Sequence, residues 1–196
     1  MRKLYSVVRY LKHKLITGFY FLGKRVTFEK NVEIVNPSSI YIGDYSSIDA
    51  DSLLSVIKEH FIYKYDRQDP VIRIEESVGI SKGTTIFAVN SICIKKNSMI
   101  GPYSFISDYD HSFQDVDKPI SQQRLTNIGP IVIEEGAWLG AHVTVCSGVK
   151  IGKNSIIGAG SVVTKDIPSY SVAVGVPARV IKRFNFKTKN WEKVQK

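Results

Sequence analysis

His111, in the stretch "SDYDHSF" (residues 107–113), is the side chain in this sequence best placed to take a proton near neutral pH. An imidazole titrates at about 6.5 when unperturbed. At the head of a long loop it is a candidate general base for activating a hydroxyl or amine. Asp108 and Asp110 flank it and could bind acceptor hydroxyls or orient the ring, with plain solvation as the alternative. Asn90 carries an amide that could hold a reacting carbonyl, or could be an internal polar rung needing its own hydrogen-bond partners. The other histidines rank lower. His13 lies in a basic N-terminal stretch and His142 at an outward repeat position. His60 could reach an acceptor, although a surface role is the plainer reading. No two of the four are close in sequence, so a three-ligand metal site is weakly supported and no metal is required.

The spacing of aliphatic residues shows what would hold these groups. Ile133, Leu139, Val145, Ile151, Ile157 and Val163 fall six apart, as do Ile74, Ile80, Ile86 and Ile92. After a shift of two residues Ile94, Ile100 and Ile106 continue the series, and Ile42 and Ile48 give a weaker opening pair. A residue six further on lies far round a helix. Six suits short strands joined by sharp corners, coil stacked on coil. The fifth hexad position holds small or β-branched residues such as Ser46, Thr84, Ser104, Val143 and Ser161, which let coils approach closely. Glycines such as Gly43, Gly101 and Gly140 follow the anchors, as corner geometry would ask. The pattern predicts an all-β solenoid over residues 26–181.

Two segments break the repeat. Residues 54–70, "LSVIKEHFIYKYDRQDP", read as a side loop or a short helix. The second insertion runs from about 108 to 128, and the chain there reads "DYDHSFQDVDKPISQQRLTN". Loops rooted on rigid coils are natural places for a substrate site.

The 196 residues suffice for one domain, and 43% hydrophobic with 23% charged residues describes a folded protein. Two cysteines make no disulfide framework and read as reduced thiols of a cytoplasmic protein. The formal charge of +9 asks for an acidic partner, but no nucleic-acid motif appears and the charge sits mainly at the two ends.

The stretch "IGPIVIEEGAWLGAHVTVCSGVKIGKNSIIGAGSVVTKDIPSYSVAVGVPARVIK" (residues 128–182) resembles the hexapeptide-repeat acyltransferases. It is similar to the C-terminal half of sugar O-acetyltransferases, among them the maltose and galactoside enzymes and those that decorate bacterial lipopolysaccharide and capsule. The resemblance implies a left-handed parallel β-helix with an inserted active-site loop, a hand that the usual crossover rule would not give. It implies acetyl-CoA as co-substrate and His111 as general base, with an upstream asparagine, carried to Asn90 at a shorter spacing, binding the carbonyl. In the family the pantetheine arm lies between subunits of a homotrimer. The matching positions are Trp138, Ala141, Ala159, Thr164, Lys165, Arg179 and Lys182. Trp138 would be a flat apolar wall, the alanines would leave room, and Lys165, Arg179 and Lys182 would meet phosphates.

Residues 1–25 are expected to form a basic amphipathic helix with Leu4, Val8, Leu11, Leu15 and Leu22 near one face. Covering the first coil is the favoured role, and peripheral contact with an anionic membrane at the inner face is the alternative. Residues 182–196 read as a peripheral basic tail. The expected function is acetyl-CoA-dependent O-acetylation of a sugar hydroxyl in surface-polysaccharide (O-antigen or capsule) synthesis. The alternatives are N-acetylation of a nucleotide-linked amino sugar and a catalytically silent scaffold. The intact His111, Trp138 and Lys165 argue against the scaffold.

Overall fold

Every anchor of the six-residue repeat is buried in one continuous interior. The computed structural model describes residues 18–194. Each coil contributes one short strand to each of three parallel sheets, an arrangement consistent with the left-handed β-helix. The first sheet holds Phe21–Leu22, Ile40–Ile42, Ile72–Ile74, Ile92–Ile94, Ile131–Ile133 and Lys150–Ile151. The second runs from Thr27–Phe28 through Met99–Ile100 and Trp138–Leu139 to Ser171–Val174 and beyond. The third holds Glu33–Val35, Leu53–Val56, Thr85–Ala88, Phe105–Ser107, Thr144–Val145 and Val162–Val163.

Register partners measure each coil. Ile133 pairs with Ile151 and Leu139 with Ile157, eighteen residues apart. Ile74 pairs with Ile94, twenty apart, so the two-residue shift is a longer corner at Val89–Ser91. Ile42 pairs with Ile74 and Ile94 with Ile133, separations of 32 and 39 that contain the two insertions. Both insertions leave the solenoid at the passage from the third sheet to the first, on either side of the Val89–Ser91 corner. Each is a hairpin: Glu59–His60 against Tyr63–Lys64, and Asp110–His111 against Leu125–Thr126. No helix forms in residues 54–70.

Three details differ from the sequence reading. The left-handed corner residue is two places beyond the expected glycine, and Tyr45, Tyr103 and His142 occupy it with φ of 60°, 56° and 56°. The glycine is needed instead for close approach: a Cβ at Gly101 would lie 2.5 Å from the carbonyl carbon of Gly140 on the next coil. The expected N-terminal helix falls mostly outside the described residues, but Leu22, assigned to its face, lies in a strand and is 6% exposed in the core. The solenoid therefore starts by Phe21. At the other end, residue 182 is no boundary. Arg179–Asn185 is one strand, antiparallel to both Ser171–Val174 and Asn190–Lys193, and it prolongs the second sheet.

The corner between the insertions is closed by Asp108, which is fully buried. Its carboxylate accepts the N–H of Val89 at 2.7 Å on one oxygen and those of Asn90 and Ser91 at 2.8 and 2.7 Å on the other. Burial pushes this carboxyl above the ordinary range, and the three donors pull the other way. In Asp108→Asn an NH₂ would face N–H groups, a loss of about 1–3 kcal/mol. Gly101→Ala should cost a similar ~1–3 kcal/mol through forced coil separation. Thermal melts should show each as a fall in Tm of roughly 2–4 °C per kcal/mol.

Candidate active site at a corner of the solenoid

The two insertions fold onto each other over a second small core. Tyr65, Val89 and Leu125 are buried there, with Ile57, Tyr63, Tyr109 and Ile128 packed around them. The Leu125 N–H donates to the Tyr65 hydroxyl at 2.7 Å, and Leu125 is the cross-strand partner of His111. The first insertion thus grips the second opposite the candidate base. The second insertion is also braced from within. Buried Gln123 accepts the Asp115 N–H and donates to the carbonyls of Asp115 and Lys118 at 2.7 and 2.9 Å. Its roots are tied to the following coil by Ser147, whose hydroxyl reaches the carbonyls of Asp108 and Asn127.

His111 is exposed at the mouth of a cleft of about 310 Å³. Phe87, Phe105, Thr144 and Cys146, facing outward from the third sheet or just beyond it, line the floor. An apolar floor with one basic nitrogen at its rim suits a neutral arm laid along the sheet with its reactive end at the imidazole. No described residue hydrogen-bonds the His111 ring. Two rings meet it edge-to-face, His60 with centroids 4.9 Å apart and Tyr109 at 6.2 Å. His60 and His111, far apart in sequence, are thus brought together in space. His60 Nε2 is buried and has no hydrogen-bond partner among the described residues. Burial, then the nearby Asp110 charge, pushes the Cys146 thiol up, so it sits in the cleft as a thiol.

The other expected residues divide. Asp108 does not reach an acceptor, because its carboxylate is enclosed and holds the corner. Asp110 turns to Asn127, whose amide donates to it at 2.6 Å, and so does not orient the base. Asn90 is only half-buried, outside the inward series, and lines a separate cavity of about 400 Å³ with Arg67 and Arg73. Trp138, 46% exposed, stands on the second sheet beside Met99 and Ile156. Ala141 and Ala159 lie at corners from the second sheet to the third, and Thr164 and Lys165 follow Val162–Val163, exposed. Arg179 and Lys182 are on the long terminal strand. A single chain therefore does not gather the expected donor residues around His111. His142 is a corner residue stacked on Tyr103, centroids 5.3 Å apart. Among the described residues no three His, Cys, Asp or Glu side chains are grouped to hold a metal.

Sequence reasoning missed Tyr65 and Gln123 and underrated His60. The one available signal was the aromatic run "HFIYKYD": so many rings in an inserted loop need something to pack on.

A family model, bacterial transferase hexapeptide (six repeats), matches residues 130–165. The chain is 37% identical over 130 residues to the Escherichia coli protein WbbJ, named for lipopolysaccharide biosynthesis O-acetyl transfer, covering 63% of this chain and 66% of that one. It is 55% identical over 62 residues to the galactoside O-acetyltransferase of Escherichia coli, covering 32% and 30% of the two chains. Among solved structures, a variant of AntD, an N-acyltransferase from Bacillus cereus in complex with dTDP-4-amino-4,6-dideoxyglucose and coenzyme A, superposes with a TM-score of 0.75 at 23% identity over 91% of each chain. The matched stretches thus span less than two thirds of the two relatives' own lengths, while the fold agrees almost end to end. The repeat, its parallel coils and these likenesses together make the chain similar to the hexapeptide-repeat bacterial transferases.

Proposed function

We propose that this protein transfers an acetyl group from acetyl-CoA to a sugar hydroxyl, with His111 as the base. The observation that carries the reading is the exposed His111 imidazole at the rim of a cleft floored by Phe87, Phe105 and Thr144. The likeness to WbbJ and to the galactoside O-acetyltransferase supports a sugar acceptor and an O-linked product. In the reaction the acceptor oxygen attacks the thioester carbonyl while His111 takes its proton. The tetrahedral intermediate collapses, the carbon–sulfur bond breaks, and the proton passes from His111 to the departing thiolate. The free cysteines Cys93 and Cys146 fit a reducing, cytoplasmic setting. The acceptor is a glycan of surface-polysaccharide synthesis in this reading.

The donor site is completed by neighbouring copies in a homotrimer. Two observations support this. Trp138 and Arg179 lie on the second sheet, away from the third-to-first passage that carries His111. Met99, Tyr103, Phe105 and Trp138 leave apolar surface exposed around the second and third sheets, at 56%, 49%, 40% and 46%. Trp138, Ala141 and Ala159 would then flank the pantetheine arm, and Thr164, Lys165, Arg179 and Lys182 would meet its polar end. Asn90 would serve the reacting carbonyl only across such an interface.

The likeness to AntD favours a second reading, N-acylation of a nucleotide-linked amino sugar. An amine acceptor would make the rate rise with pH as its ammonium group loses its proton, well beyond the range set by an imidazole base. Thiol release from acetyl-CoA should be stimulated by a glycan acceptor. His111→Ala should lower that rate by about 10²–10⁴-fold while leaving the melting temperature unchanged. Equal release by both proteins would remove His111 from the mechanism.

A further inference from the structure

A general base needs its second nitrogen held, because that contact fixes the tautomer and steadies the cation formed on proton transfer. Carboxylates usually do this. Here both neighbouring carboxylates are occupied elsewhere, Asp108 by three backbone N–H groups and Asp110 by Asn127. The ring that does approach His111 belongs to His60, at 4.9 Å between centroids and 66° between planes. Two imidazoles joined by an N–H···N hydrogen bond have centroids about 5 Å apart. The rings are therefore already at the right separation, and rotation about their own bonds would align them. His60 also has the atom to spare, since its Nε2 is buried without a partner among the described residues, and leaving such a nitrogen unsatisfied carries a cost. Catalytic hydrogen bonds are often misaligned before substrate binds and tighten afterwards.

We propose that His60 is a positioning residue for the base. In the loaded site its Nε2 hydrogen-bonds the ring nitrogen of His111 that faces away from the acceptor, selecting the base-competent tautomer and sharing the positive charge of the imidazolium. No proton leaves the pair: the one taken by His111 goes on to the thiolate, and His60 ends as it began. The first insertion is then part of the active site. It delivers His60 on the strand Glu59–His60 and locks the geometry through the Tyr65 hydroxyl to Leu125, opposite His111. The inference rests on the role of His111 proposed above.

Two substitutions separate positioning from packing. His60→Phe keeps a ring to meet His111 edge-to-face but has no nitrogen, whereas His60→Gln keeps a hydrogen-bonding group and loses the ring. Positioning predicts that His60→Phe lowers kcat by about 10–100-fold with acceptor KM little changed, and that His60→Gln recovers part of the loss. Wild-type turnover by His60→Phe would overturn the proposal. A second readout needs no turnover. Nitrogen-15 shifts of the imidazoles in the folded protein with coenzyme A bound report the tautomer of His111. One dominant tautomer in the wild type and a mixture in His60→Phe would support the pairing, and the same ratio in both would overturn it. Failure of the acyltransfer reading would appear separately, as acetyl-CoA turnover indifferent to His111→Ala.

Discussion

Three backbone N–H groups, on Val89, Asn90 and Ser91, would be left without acceptors where the chain passes from the third sheet to the first, and the carboxylate of Asp108 takes all three. Other corners of the solenoid also bond to the coil stacked on them, as when Gly101 N–H donates to the Leu139 carbonyl and Lys24 N–H to the Asp44 carboxylate. Here it is the stacked coil that leaves on a long excursion, and its Asp108 side chain takes all three donors of the corner. Asp108 is also the residue from which the excursion starts, two positions after the last buried anchor of its coil, Ile106. Its backbone is anchored in turn, its carbonyl receiving the Gly129 N–H at 3.0 Å and the Ser147 hydroxyl at 3.0 Å. One buried carboxylate thus fixes both the corner and the root of the hairpin that carries His111.

The solenoid and its insertions have separate cores. The first is a column of isoleucine, leucine and valine in register from coil to coil, and its rigidity comes from close packing along the whole length. The second is small, built around Tyr65, Val89 and Leu125, and it exists only because both insertions open at the same corner. A hairpin of two-residue strands is marginal alone. Packed against its neighbour and bonded through Tyr65 it becomes a fixed wall. The candidate base therefore stands on a strand, supported from below by the third sheet and from the side by the other insertion, which is the precision that proton transfer in a thioester attack would require.

Most of the fold was legible because a period of six leaves few alternatives. The anchors Ile133 through Val163 are buried, and the fifth-position serines Ser46, Ser104 and Ser161 turn inward. The reason assigned to the glycines was wrong in an instructive way: Gly101 and Gly140 answer to the next coil's backbone, and the strained corner position is taken by Tyr103 and His142. The place of the candidate base His111 was also legible, because the repeat stops beside it. Its surroundings were not. His60 and His111 are brought together by register over two different coils, and no local pattern encodes that meeting. Asp108 looked like a ligand for the same reason that Asp110 did, adjacency to a histidine. Burial gave one to the backbone and Asn127 claimed the other.

The central claim is that the corner where the two insertions meet, and not the second insertion alone, is the active site. Lys58 carbonyl and Tyr65 N–H are already hydrogen-bonded at 2.8 Å, so residues 59–64 can be replaced by two glycines without opening the chain. Acetyl transfer and coenzyme A affinity should then be measured on the same sample. The account predicts unchanged affinity for coenzyme A with transfer reduced by at least about 10²-fold, because His111 keeps its place on the solenoid but loses the ring that steadies it. Transfer at the parental rate would show that the first insertion is a bystander and would contradict the account.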